Sequence, residues 1–147
     1  MLSGWGYWSG LSICDPGWFQ FEDHCYFKSK EKLTWSNARL QCERGGGYLV
    51  EIESMKENDW IINKLTPAQC TIHWILCVIW IGATDQEVDG QFIWDGSREK
   101  LNFINWRSGE PNNYQQQEDC AVVNYPSGEW CDFPCSDKHY YICEKKL

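Results

Sequence analysis

The sequence predicts an α+β domain on three observations: two segments with helical spacing fall in the first half, the second half holds only short apolar runs between turn residues, and nine cysteines lie within 147 residues. Helices and strands do not alternate strictly, which excludes a doubly wound sheet. The length suits one domain with a substantial core. Aromatics at 16% and hydrophobic residues at 43% exclude intrinsic disorder despite a net charge of -8.

Residues 1–13 mix glycine, serine and aromatics without a period, so they read as an irregular arm before a domain spanning 14–147. The first ten residues carry neither the basic start nor the continuous apolar stretch of a secretory signal. Phe19 and Phe21, then Cys25, Tyr26 and Phe27, bracket a hairpin whose ends Cys14 and Cys25 could pin. Thr34 is placed to cap a first helix, with Trp35, Ala38 and Cys42 along one face and Gly45, Gly46 and Gly47 stopping it. Tyr48 to Ile52 is a short strand-like run. Ser54-Met-Lys-Glu57 has capping-box spacing and opens a second helix whose inner stripe is Asn58, Ile61 and Leu65. Beyond Pro67, Ile75 to Ile81 is rich in Val, Ile and Trp and reads as a central strand. The longest apolar run, Trp74 through Gly82, falls well short of the ~20 residues that cross a bilayer, so no membrane span is expected. Phe92 to Trp94 and Ala121 to Val123 mark further strands.

Thirteen Lys and Arg against twenty-one Asp and Glu would repel a phosphate backbone, which argues against nucleic acid as a partner. The cysteine content points to bridges formed in an oxidising compartment, hence a secreted, extracellular protein. Zinc fits poorly, because His24, His73 and His139 are scattered and no Cys-x2-Cys knuckle occurs.

Several motifs together are specific: Cys14-Asp-Pro-Gly-Trp-Phe19, Trp35-Ser-Asn-Ala-Arg-Leu-Gln-Cys42, Gly47-Tyr-Leu-Val-Glu-Ile52, Trp80-Ile-Gly82, Glu110-Pro-Asn112, Glu118-Asp-Cys120 and Tyr141-Ile-Cys143. From Cys14 to about Glu144 the chain resembles the C-type lectin-like carbohydrate-recognition domain. The resemblance implies a double-loop fold with two helices and two small antiparallel sheets. It also implies bridges Cys42 to Cys143 and Cys120 to Cys135, with Cys14 to Cys25 marking the long form. Trp35, Trp80, Trp94 and Trp106 are then expected in the core.

Glu110, Asn112, Glu118, Asp119 and Asp132 concentrate oxygen ligands in the turn-rich half. A loop cluster of this kind is ordinarily just solvated. The resemblance instead implies a calcium site in which Glu110 and Asn112 flank a cis Pro111, Glu110 and Glu118 accept sugar hydroxyl protons, Asn112 donates, and Asp132 ligates the ion. Glu-Pro-Asn implies the mannose, N-acetylglucosamine and fucose class, whereas Gln-Pro-Asp would imply galactose. Asp85 and Asp89, with Asn113, Asp119 and Glu118, match an auxiliary calcium site, and Tyr114 is the expected stacking residue for a sugar face. One departure stands out: Trp130-Cys131-Asp132 puts sulfur where the family has an amide, and thiol sulfur suits calcium poorly.

The expected function is a secreted, calcium-dependent lectin recognising glycans on microbes or other cells, and not an enzyme. Paired carboxylates could be read as a glycosidase's acid and nucleophile, but they fit metal spacing and no nucleophile-histidine pair accompanies them. The alternative is a lectin-like domain that binds protein, sugar or ice without calcium because of Cys131. Cys70, Cys77 and Cys131 remain unassigned. Either Cys70 pairs with Cys77, leaving Cys131 free or joined to another chain, or Cys131 takes one of them and the other makes a disulfide-linked homo-oligomer. Such an oligomer would multiply the weak affinity of one shallow site.

Overall fold

In the computed structural model, which describes residues 13–112 and 119–147, both helices form where their caps and spacing put them. Helix α1 is Trp35–Arg44; the Thr34 hydroxyl accepts from Asn37 N at 3.4 Å, and Trp35, Ala38 and Cys42 face inward. The Gly45 and Gly47 amides both return to the Cys42 carbonyl and close its end. Helix α2 is Met55–Leu65, burying Asn58, Ile61 and Leu65 as expected. Its capping box is half formed. Ser54 Oγ accepts from Glu57 N at 3.1 Å, but the Glu57 carboxylate takes Glu53 N at 2.8 Å and the Tyr26 hydroxyl at 2.5 Å instead of the cap amide.

Strands β1 (Phe19–Phe21) and β2 (His24–Lys28) make the expected hairpin, pinned by Cys14–Cys25. The others are β3 (Tyr48–Leu49), β4 (Val78–Thr84), β5 (Ile93–Trp94), β6 (Asp119–Asn124), β7 (Trp130–Pro134) and β8 (Tyr140–Lys146). Among the described residues the order is β1-β2-β8-β4-β6-β7, with β3 on β8 and β5 on β4. The two antiparallel sets expected are thus joined into one mixed sheet by β8, which pairs antiparallel with β2 and β3 but parallel with β4 through Tyr140 and Tyr141.

Two expectations shift. Of Tyr48 to Ile52 only Tyr48–Leu49 is laddered, while Val50 and Ile52 stay buried in irregular chain. There Gly82 N donates to the Val50 carbonyl at 2.8 Å, and a Cβ at Gly82 would meet the Leu49 carbonyl oxygen at 2.6 Å, so this crossing requires glycine. The central strand begins at Val78, not Ile75. Trp74–Leu76 form a 3-10 turn in which the His73 ring accepts from Ile75 N at 3.3 Å, and Ile75 and Leu76 are exposed. The Cys70–Cys77 bridge closes the loop that carries this turn.

The core has two clusters. Ile52, Ile61, Ile79, Ile81, Trp94 and Trp130 pack under α2, and Trp35, Ala38, Cys42, Trp80, Val122 and Cys143 under α1. Trp35, Trp80 and Trp94 are buried as expected, and Trp106 is half-buried against the first cluster. Three indole N–H groups are satisfied in the core: Trp35 Nε1 donates to Ile81 O at 3.0 Å, Trp80 Nε1 to Leu33 O at 2.9 Å and Trp130 Nε1 to Asn58 Oδ1 at 2.9 Å.

Cys42–Cys143 and Cys120–Cys135 form as expected, and Cys70 pairs with Cys77. Cys131 is the free thiol, 2% exposed in the second core cluster. No accessible thiol is left for an interchain bond, so the disulfide-linked oligomer lacks the residue it needs. No helix among the described residues is long and apolar enough to cross a membrane.

Cys42–Cys143 joins residues 101 apart. Replacing both with serine should lower unfolding free energy by between about 4 and 5 kcal/mol, read from urea denaturation of the paired variant against the parent. A loss below about 1 kcal/mol would show that the closure contributes little.

Candidate functional site

Strands β4, β6 and β7 run side by side, and three aspartates cluster where they meet the late loops: Asp85 just past β4, Asp119 at the start of β6 and Asp132 within β7. All three are buried. Backbone contacts fix Asp85 and Asp119 to each other. Asp85 Oδ1 accepts from Asp119 N at 3.2 Å, Asp85 Oδ2 from Gly90 N at 3.0 Å, and the Thr84 hydroxyl donates to Asp119 O at 3.2 Å.

The loop bearing Glu110 closes over this end. Glu110 N donates to Arg107 O at 2.8 Å, and the Glu110–Pro111 peptide is cis, as the resemblance implied. Asn112 is tied on both sides: its N–H donates to Asp132 Oδ1 at 3.2 Å and its Nδ2 to Glu110 Oε2 at 3.2 Å. Glu110, Asn112 and Asp132, spaced over twenty-two positions, therefore form one contiguous polar group.

The electrostatics of this group are unbalanced. Among the described residues, Glu110 Oε1 and Asp119 Oδ2 are buried without a hydrogen-bond donor, and the Asp132 carboxylate acts on both groups. Among the described residues, no lysine, arginine or histidine forms an ion pair with Glu110, Asp119 or Asp85. Burial, then the neighbouring Asp132 carboxylate, pushes Glu110 up to about 7. Burial, then Asp132, Asp85 and Asp89, pushes Asp119 up to about 8. Crowded carboxylates with orphaned oxygens are what a hard cation satisfies, so the residues present fit calcium. Among the described residues no three His, Cys, Asp or Glu side chains are gathered into a ready-made cation cage.

Of the other expected site residues, Asp89 is exposed and near enough for its charge to act on Asp119. Asn113, Tyr114 and Glu118 lie outside the described residues. Cys131 packs in the core between Trp130 and Asp132, and burial followed by the Glu110 charge pushes its thiol up to about 11, so it stays neutral at physiological pH. Two contributors were not read from the sequence. The Gly90 amide that holds Asp85 was signalled only by the turn pair Asp89-Gly90, and Arg107, stacked 3.8 Å over the Trp74 ring, had no local signal.

The geometry has counterparts. The family model of the lectin C-type domain matches residues 31–145. C-type mannose receptor 2 of Mus musculus is 36% identical over 141 residues, which are 94% of this chain but only 9% of that receptor. The mouse scavenger receptor C-type lectin carbohydrate-recognition domain superposes with a TM-score of 0.78 at 34% identity, covering 90% of this chain and 96% of that one. The cow C-type carbohydrate-recognition domain of CD23, solved in the presence of a GlcNAc2Man3 oligosaccharide, gives 0.79 at 30% identity, covering 93% and 98%. With its fold, bridges and late-loop carboxylates in place, the chain belongs to the C-type lectin domain family.

Proposed function

We propose that the domain, spanning residues 14–147, is an extracellular, calcium-dependent lectin for the mannose, N-acetylglucosamine and fucose class, acting in recognition of glycans on microbes or other cells. The reading rests on one observation above all: among the described residues, buried carboxylate oxygens of Glu110 and Asp119 find no hydrogen-bond donor and face the Asp132 carboxylate instead. Glu110, Asn112 and Asp132, with Glu118, would hold the ion of the sugar site, and Asp85, Asp89, Asn113 and Asp119 an auxiliary one. A bound calcium supplies vacant coordination positions for two vicinal sugar hydroxyls. The chain's own part is to pair what remains. The Glu110 and Glu118 carboxylates accept hydroxyl protons, the Asn112 amide donates to a hydroxyl lone pair, and the Tyr114 ring offers an apolar face. The domain binds without carrying out a reaction, and Cys131, being buried, is not the residue that would link one copy of the domain to another.

On a glycan array in calcium, binding should fall on mannose-type sugars and disappear in EDTA. Binding that survives the chelator would contradict the reading and favour calcium-independent recognition. The double variant Glu110→Gln, Asn112→Asp should move preference toward galactose, and an unchanged selectivity profile would count against the roles given to these side chains.

The raised carboxyls make a pH prediction. Glu110 and Asp119 keep their protons to higher pH folded than unfolded, so the stability they contribute is complete below about pH 4 and is lost as pH climbs through about 7 and 8. Glu144, at about 8, acts with the same sign. In EDTA the Tm should fall from pH 5 to pH 8, and calcium should restore part of the loss by binding the charged forms. Asp119→Asn should flatten the fall in EDTA and shrink the calcium-induced rise, measured by thermal scans of both proteins. Parallel curves for variant and parent would contradict the role of Asp119.

A further inference from the structure

Away from the loop site, the β1–β2 hairpin, the end of α2 and the chain just after β2 enclose an open groove of about 980 Å³. Its wall includes Phe19, Phe27 and Tyr141, and three lysines, Lys28, Lys30 and Lys64, stand on it. No residue of the loop site lines it. Lys32 belongs to the same cluster, because Lys28 Nζ and Lys32 Nζ lie 4.5 and 5.2 Å from the Tyr140 ring centroid. Lys64 Nζ lies 5.1 Å from that of Phe19. Three of the thirteen Lys and Arg of an acidic chain thus line one groove, with Lys32 beside Lys28 over the Tyr140 ring.

Among the described residues these four ammonium groups have no carboxylate counterion. Among the described residues none of them comes within 4.0 Å of a carboxylate, whereas Lys56 reaches Glu22 at 3.4 Å and Lys145 reaches Asp15 at 2.6 Å. The acid in the groove wall, Glu31, is engaged by the Tyr141 hydroxyl at 3.1 Å. Lys28 is partly buried, which holds its ammonium below the usual lysine range, and an aromatic face is its nearest partner.

The sequence carries the same signal as Lys28-Ser-Lys-Glu-Lys32, a short basic cluster of the kind that forms heparin-type patches. A linear ligand suits an open groove better than a compact one. Spaced sulfates would meet ammonium point charges, and sugar C–H faces would meet the apolar wall. A continuous duplex would bring its phosphates against the acidic remainder of the surface, which a short oligosaccharide confined to the groove avoids.

We propose that this groove, through Lys28, Lys30, Lys32 and Lys64, is a second glycan site that binds a sulfated polysaccharide segment without calcium. It is independent of the loop site. The charge contrast makes binding strongest at low ionic strength, since at 0.1 M salt largely screens exposed charges more than about 10 Å apart.

The test measures retention of the full chain on immobilised heparin in EDTA at low salt, which silences any calcium-dependent sugar binding. The parent should bind, and chemically desulfated heparin should not compete. The triple variant Lys28→Gln, Lys30→Gln, Lys64→Gln should lose about tenfold in affinity. Lys56→Gln, Lys100→Gln, Lys146→Gln, with the same change in net charge, should lose no more than about threefold. Circular dichroism and Tm confirm that both triples are folded. Failure of the parent to bind, equal losses in the two triples, competition by desulfated heparin, or equal competition by single-stranded DNA of matched charge would each overturn the proposal.

Discussion

Everything at the functional end of this domain follows from carboxylates that the fold crowds together and does not neutralise. Asp85, Asp119 and Asp132 are held by strands of one sheet, and Glu110 is lowered onto them by a loop anchored at Arg107. The positions are not adjustable. The Asp119 amide is spent on Asp85, its carbonyl on Thr84, and the next residue, Cys120, is bonded to Cys135. A sheet edge so constrained cannot spread its charges apart, and it must therefore hold protons or a cation.

A second buried acid shows why raised acidity alone does not mark a site. Burial also lifts Glu144 to about 8, yet its oxygens are spoken for: Oε1 accepts from Glu51 N at 3.0 Å, and Oε2 lies 2.6 Å from His24 Nδ1 and 3.3 Å from the Tyr26 hydroxyl. That group joins β2, β8 and α2 from within, and it explains why Glu57 abandons the helix cap for Tyr26. The loop carboxylates differ in having orphaned oxygens. Geometry, not titration, separates the internally satisfied cluster from the one proposed to bind a cation.

Much of this was legible in the sequence, for reasons that differ by element. Thr34 and Ser54 are local signals, and local capping needs nothing from the rest of the chain, so both helix starts were readable. The Val78 start was not, because the strand's apolar composition continues back through Trp74. Only the His73 turn and the Cys70–Cys77 closure decide that Ile75 and Leu76 leave the sheet. Glu110, Asn112 and Asp132 were found through motif resemblance, and their convergence depends on strand register that periodicity does not encode. Cys131 shows the same limit: its residue type was informative, but its placement in the core rather than at an accessible surface is a tertiary fact. The lysine groove went unread because Lys64 lies on another element from Lys28 and Lys30.

On the proposed reading, protons on Glu110 and Asp119 occupy the places a divalent cation would take. Calorimetric titration of the protein with calcium at pH 7, repeated in buffers of different ionisation enthalpy, counts the protons released per ion bound. With Glu110 near 7 and Asp119 near 8, roughly one proton should leave on binding at pH 7, and the number should fall toward zero by about pH 9. Calcium that binds at pH 7 without displacing protons, or that does not bind at all, would contradict the account.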